Sequence, residues 1–147
     1  MFQSILRQLI SPRPDRLPTP EANLALAALL VRLARADGTY TAVEQSRIDR
    51  VLAAREGLGE VAAMSLRMDA EKLESEAPDT VRFTRALKDA VPLAERVSLI
   101  EALWSIALTD GDRADEEDQM LRLVTNLLGV SDVESGLARQ RVTRGTP

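Results

Sequence analysis

LALAALLVRLARADGTYTAVEQSRIDRVLA, residues 24–53, decides the fold. Leu26, Leu29, Leu30, Leu33 and Ala34 recur at helical spacing, so the first part is a helix with an apolar stripe. Asp37-Gly38 stops it, because glycine adopts the left-handed conformation of a helix end at little steric cost. Thr41-Ala42-Val43-Glu44 has the form of a capping box, in which Thr and Glu each satisfy an orphan backbone N–H. It opens a second helix, expected to run to about Glu56 and to bury Val43, Ile48, Val51 and Leu52. The stretch reads as helix, turn, helix.

Upstream, Thr19-Pro20-Glu21 starts the first of these helices, with Thr as N-cap, Pro at the first helical position and an acid in the first turn. Before it, prolines at 12, 14, 18 and 20 impose an extended linker. Residues 1–10, MFQSILRQLI, form an amphipathic helix with Phe2, Ile5, Leu6, Leu9 and Ile10 on one face. With Arg7 its only cation, packing on the protein's own core is favoured over a membrane-surface or partner-docking role. Downstream, Gly57 and Gly59 punctuate, and residues 60–76 continue as helix with an interruption expected near Met68-Asp69. Pro78-Asp79 begins another helix, and Pro92 opens a long one that carries Trp104 as a core residue and ends at Asp110-Gly111. A helix from about Asp115 to Leu128 follows, closed by Gly129, and Ser131-Asp132-Val133-Glu134 caps a last short helix.

No segment alternates with period two, so the fold class is all-α: one helical bundle of about seven to eight helices. The expected organisation is an amphipathic helix and linker over 1–19, a helical domain over 20–141 and a flexible tail over 142–147. The basic residues Arg139, Arg141 and Arg144 read as a solvated end rather than a binding arm.

A shift of 73 residues aligns two segments without a gap. Leu26 falls on Leu99, Leu30 on Leu103, Leu33 on Ile106, Ile48 on Leu121 and Val51 on Val124. Asp37-Gly38 falls on Asp110-Gly111 and Glu44 on Glu117, in phase with the core positions. That coincidence predicts an internal duplication, a pseudo-two-fold pair of helix–Asp-Gly–loop–helix hairpins.

Each Asp sits where helix carbonyls carry partial negative charge, and a carboxylate there calls for either a backbone N–H in an Asx-type turn or a cation. The second copy is the more acidic: Asp110, Asp112, Asp115, Glu116, Glu117 and Asp118 face only Arg113. Crowded carboxylates raise each other's ionisation cost and attract a cation or a basic partner. The segment is not an EF-hand, since its glycine follows the first Asp immediately and the fifth position is Ala114. Asp37, Glu44, Asp110, Asp112 and Glu117 are therefore the candidate ligands of a hard divalent cation such as Ca²⁺ or Mg²⁺, or the contact residues for a basic protein partner.

Composition narrows the chemistry. The chain has 147 residues, 45% hydrophobic, 29% charged and only 3% aromatic, which suits a helical core of Leu, Ala, Val and Ile. It has no Cys and no His, which removes thiol and imidazole nucleophile systems and nearly every zinc site. A net charge of −4 gives no basic face for nucleic acid. No window approaches the ~20 apolar residues of a membrane span, and the N-terminus lacks a secretory leader, so a cytoplasmic location is expected.

The segments LLVRLARADGTYTAVEQSRID and LWSIALTDGDRADEEDQMLRLVTNLLGV, with the Leu128-Gly129-Val130 close, resemble the TerB-like proteins over roughly residues 20–140. The resemblance implies an all-helical bacterial protein tied to tellurite resistance or stress response, with Asp37, Glu44, Asp110 and Glu117 as an acidic signature. Related domains in membrane-anchored co-chaperones imply a sensing or docking module. Three readings stand at this point: a non-enzymatic acidic binding module, a metal-assisted carboxylate enzyme, and a purely structural helical adaptor.

Overall fold

In the computed structural model, residues 21–36, 38–76, 79–108 and 115–145 are described, Asp115 and Glu116 by their backbone alone. They form seven helices and no strand: α1 (Ala22–Arg35), α2 (Ala42–Glu56), α3 (Glu60–Glu76), α4 (Val81–Ala90), α5 (Leu93–Ala107), α6 (Asp115–Leu127) and α7 (Asp132–Gly145). The expected helix over residues 1–10 and the linker after it lie outside the described residues.

α1 organises the rest. Every residue from Ala25 to Val31 is buried, as are Leu33 and Ala34, so the apolar stripe read from the sequence is in fact a complete girdle. A helix that is apolar on all sides must be enclosed, and α1 packs against α2, α3, α4, α5 and α6. Its leucines meet Ile48 and Leu52 of α2, Phe83 and Leu87 of α4, and Leu99, Ile100, Leu103 and Ile106 of α5 in one continuous core. Small residues admit close helix approach: Ala27, Ala28 and Ala34 on α1, with Ala63 and Ala70 on α3. The helix begins one residue after Glu21, whose side chain makes no capping bond, and the Thr19-Pro20 start signal lies outside the described residues.

The connections set directions. Gly57, at φ +64°, ends α2, and the Leu58 N–H bonds back to the Ala53 carbonyl at 3.0 Å. Asp49 and Arg67, equally far in sequence from Leu58, form an ion pair, so α2 and α3 are an antiparallel hairpin. Arg32 and Arg35, near the end of α1, both reach Glu74 near the end of α3, so these two helices run parallel. Arg96 of α5 fastens the other side, donating to the carbonyls of Val91 (2.9 Å), Lys88 (3.2 Å) and Leu128 (3.2 Å). A cation is well placed among carbonyls at the ends of α4 and α6.

Two expectations are corrected. α3 runs without interruption through Met68-Asp69. No Gly or Pro breaks it there, both residues lie on its exposed face, and the Arg67–Glu71 pair at 2.8 Å spans the point. Val43 is 62% exposed rather than buried. The capping box turns Glu44 inward, and its neighbour one position round the helix is left facing out. Val51 is half-buried, while Ile48 and Leu52 are fully enclosed.

Because α1 is the common wall of the core, Leu29→Ala is expected to cost about 3 kcal/mol. Leu123→Ala, on the exposed side of α6, is expected to stay within ~0.5 kcal/mol. Chemical denaturation of the two variants checks the contrast.

Candidate functional site

The first junction joins α1 to α2. Gly38 stands at φ +84°, a left-handed conformation that a side chain would strain. Thr41 then caps α2: its Oγ1 accepts the Glu44 N–H at 3.1 Å, and its own N–H donates to Glu44 Oε1 at 2.9 Å. The Thr41 hydroxyl also donates to the same carboxylate oxygen at 3.1 Å. The capping box read from the sequence is present in full. It leaves Glu44 only 2% exposed, a carboxylate folded into the first turn of α2, where the positive end of the helix favours it.

At the second junction, Glu117 in the first turn of α6 is likewise buried, at 3% exposure. Asp37, Asp110 and Asp112 lie outside the described residues. Of the five candidate ligands, then, two are placed, and both are buried carboxylates at helix starts. α2 and α6 both rest on α1 and α5 and share no extended contact of their own. Among the described residues no group of three or more acidic side chains is gathered as a metal would need.

A polar belt flanks the first junction, and sequence reasoning missed it. The Tyr40 hydroxyl donates to Glu71 Oε2 at 2.5 Å, and Arg67 holds the same oxygen at 2.8 Å and Asp49 Oδ1 at 2.6 Å. Arg35 lies over the Tyr40 ring at 4.9 Å and pairs with Glu74 at 2.9 Å. Arg32 joins Glu74 at 3.2 Å and covers the Phe83 ring at 5.2 Å. Burial works against the Arg67 charge, but Asp49 and Glu71 outweigh it and hold the guanidinium above its ordinary pKa. The signal was there in part: Arg67 lies between Ala63 and Ala70 on the inward stripe of α3, with Glu71 four residues on. The partner Tyr40 sits in a loop, where no periodicity points to it.

In the second half, Trp104 is half-buried rather than enclosed. Its indole N–H donates to Ser135 Oγ at 3.1 Å, and Arg139 covers the ring at 5.3 Å. Arg141 bonds Glu101 at 2.7 Å. Two of the three arginines expected at a solvated end thus make contacts from α7.

Gly38, the two buried glutamates and the Gly129-Val130 close are set in one all-helical domain, and residues 23–140 match the family described as tellurite resistance protein TerB. The chain belongs to the TerB family. No curated protein and no solved structure matches it. The match runs from the start of α1 into α7 and covers both Asp-Gly junctions, so the residues that carried the resemblance fall inside this TerB domain. No described helix is long and apolar enough to cross a membrane.

Tyr40 reports on the belt. Burial, and then the hydrogen bond and negative charge of Glu71, raise its pKa well above the ordinary 10.0. The unfolded chain loses this proton first, so the belt's contribution is present below about pH 10 and is lost as pH rises past it. As the chain has a single tyrosine, phenolate absorbance is expected to stay low through pH 10 and to appear as the fold opens. Glu71→Gln is expected to bring it in at lower pH, leaving the part due to burial.

Proposed function

We propose that this TerB-family chain is a non-enzymatic, cytoplasmic binding module whose Asp-Gly junctions hold a hard divalent cation, with a basic protein partner as the alternative occupant. The observation that carries the reading is the burial of Glu44 and Glu117, two carboxylates 73 residues apart, each in the first turn of the helix after an Asp-Gly junction. A carboxylate withdrawn from water needs compensation. At Glu44 the Thr41 cap contributes it; in the second half, where Ala114 matches Thr41, Glu117 also interacts within the chain, and the surrounding segment is the most acidic in the chain. Asp110, Asp112 and Glu117 are the proposed ligands there, with Asp37 and Glu44 their counterparts. Oxygen donors without Cys or His select Ca²⁺ or Mg²⁺ over softer metals.

The same reading takes the two halves as a duplication. α2 begins at Ala42 and α6 at Asp115, the interval that separates the two Asp-Gly pairs, and α3 and α7 follow in like order. No cysteine or histidine accompanies the acids, which favours binding over catalysis. The mechanism is electrostatic: carboxylates costly to hold together are relieved by the cation, and the junction stiffens.

Thermal melting in Ca²⁺, Mg²⁺ and Mn²⁺ tests this. A ligand bound only by the folded state raises Tm with concentration. Asp110→Asn and Glu117→Gln are each expected to reduce the increment, and to do so non-additively if both touch one ion. If the carboxylates only cap backbone groups, Asp110→Asn costs about 1 kcal/mol or less with or without the ions. A Tm indifferent to all three metals sinks the cation reading.

A further inference from the structure

We propose that residues 1–10 dock as an amphipathic helix on the outer face of α3, covering Val61, Met64 and Met68 of the same chain. These three residues stand at i, i+3 and i+7, one face of the helix, and are 82%, 46% and 57% exposed. The inward face of α3 is complete without them, through Ala63, Arg67 and Ala70. An apolar stripe left to water on an otherwise well-packed helix is an interaction surface rather than scatter.

The occupant follows from sequence, reach and charge. Residues 1–10 present Phe2, Ile5, Leu6, Leu9 and Ile10 on one face, the complement that a helix lying along such a stripe needs. α1 and α3 run parallel with their last turns joined through Glu74, so the start of α1, where the described chain begins, lies level with the first turns of α3. The ten residues 11–20, with their four prolines, reach about 30 Å at ~3.1 Å per residue, against a helix diameter of about 10–12 Å. They suffice to carry the segment round to the outer face. The exposed charges of α3 are mainly acidic, Glu60, Asp69 and Glu76 against Lys72, and residues 1–20 bring Arg7, Arg13 and Arg16 against the single acid Asp15. Among the described residues the other exposed apolar pair on one helix, Val133 and Leu137, belongs to α7, which shares no extended contact with α1 and so lies farther from the linker.

The chain's four methionines, Met1, Met64, Met68 and Met120, make a direct test. In the full-length protein with ¹³C-labelled methionine methyls, Leu6→Asp with Leu9→Asp is expected to shift the Met64 and Met68 signals by several linewidths and to leave Met120 in place. A nitroxide on Gln8→Cys, specific because the chain has no cysteine, is expected to broaden Met64 and Met68 more than Met120. Mixing spin-labelled unlabelled protein with ¹³C-labelled protein should give no broadening. Broadening only in the mixture would overturn the proposal and give the stripe to a second copy. Met64 and Met68 signals indifferent to both modifications would overturn it as well, whether or not the segment instead carries the protein onto phosphatidylglycerol vesicles in co-sedimentation.

Discussion

The enclosure of α1 is the constraint from which the rest of the fold follows. A fourteen-residue helix with an unbroken buried run from Ala25 to Val31 has a middle that water cannot wet on any side, and only its two ends are partly exposed. Burying a large aliphatic side chain is worth about 1.5–3 kcal/mol, so each leucine left facing solvent would forfeit a sizeable part of a marginal stability. The solution is a ring of helices, and its closeness is set by alanines where the backbones approach. The two cations near the end of α1, Arg32 and Arg35, then have one way out, along the end of α3, where Glu74 receives both. The junction after α1 therefore leaves the core at a fixed place, and α2 starts from there.

That placement explains why an acidic residue is tolerated deep in each junction. The first turn of a helix offers orphan N–H groups and the positive end of the dipole, so a glutamate there is stabilised where the same group in mid-helix would be costly. Glu44 exploits this with Thr41; its burial is the price of the capping box's geometry, which points the carboxylate back and in. Position rather than net charge thus separates Glu44 and Glu117 from the many solvated acids of the chain.

What the sequence made legible was local. The helix starts and stops among the described residues, the turn at Gly38, the Thr41–Glu44 box and the two glutamates at helix starts are all set by backbone chemistry within four residues, and a one-dimensional pattern contains that chemistry. The all-α class follows from the same patterns, since no segment competes with them. Val43 was misplaced because periodicity assigns a face by hydrophobicity, whereas the cap fixed the rotation of the first turn. α3 looked breakable at Met68-Asp69 because its apolar residues lie on both sides, with Ala63 and Ala70 turned in and Val61, Met64 and Met68 turned out. The Tyr40–Glu71–Arg67–Asp49 belt joins a loop to two helices, and side chains that meet only after packing leave no local signature.

The belt also marks where the two halves diverge. Under the 73-residue shift, Arg35 falls on Leu108, Asp49 on Arg122, Arg67 on Gln140 and Glu71 on Arg144, so none of the ion pairs of the first half has a counterpart of like chemistry. Thr41 falls on Ala114, so the hydroxyl cap is missing too. Meanwhile the acids are concentrated in the second half, between Asp110 and Asp118. The first junction is thus tied by its own side chains, whereas the second carries in its sequence Ala114 in place of Thr41 and a run of carboxylates. Under the proposed function, a cation at the second junction would add to the contacts that Glu117 already makes within the chain, and the two junctions, unlike in their side chains, would not be interchangeable.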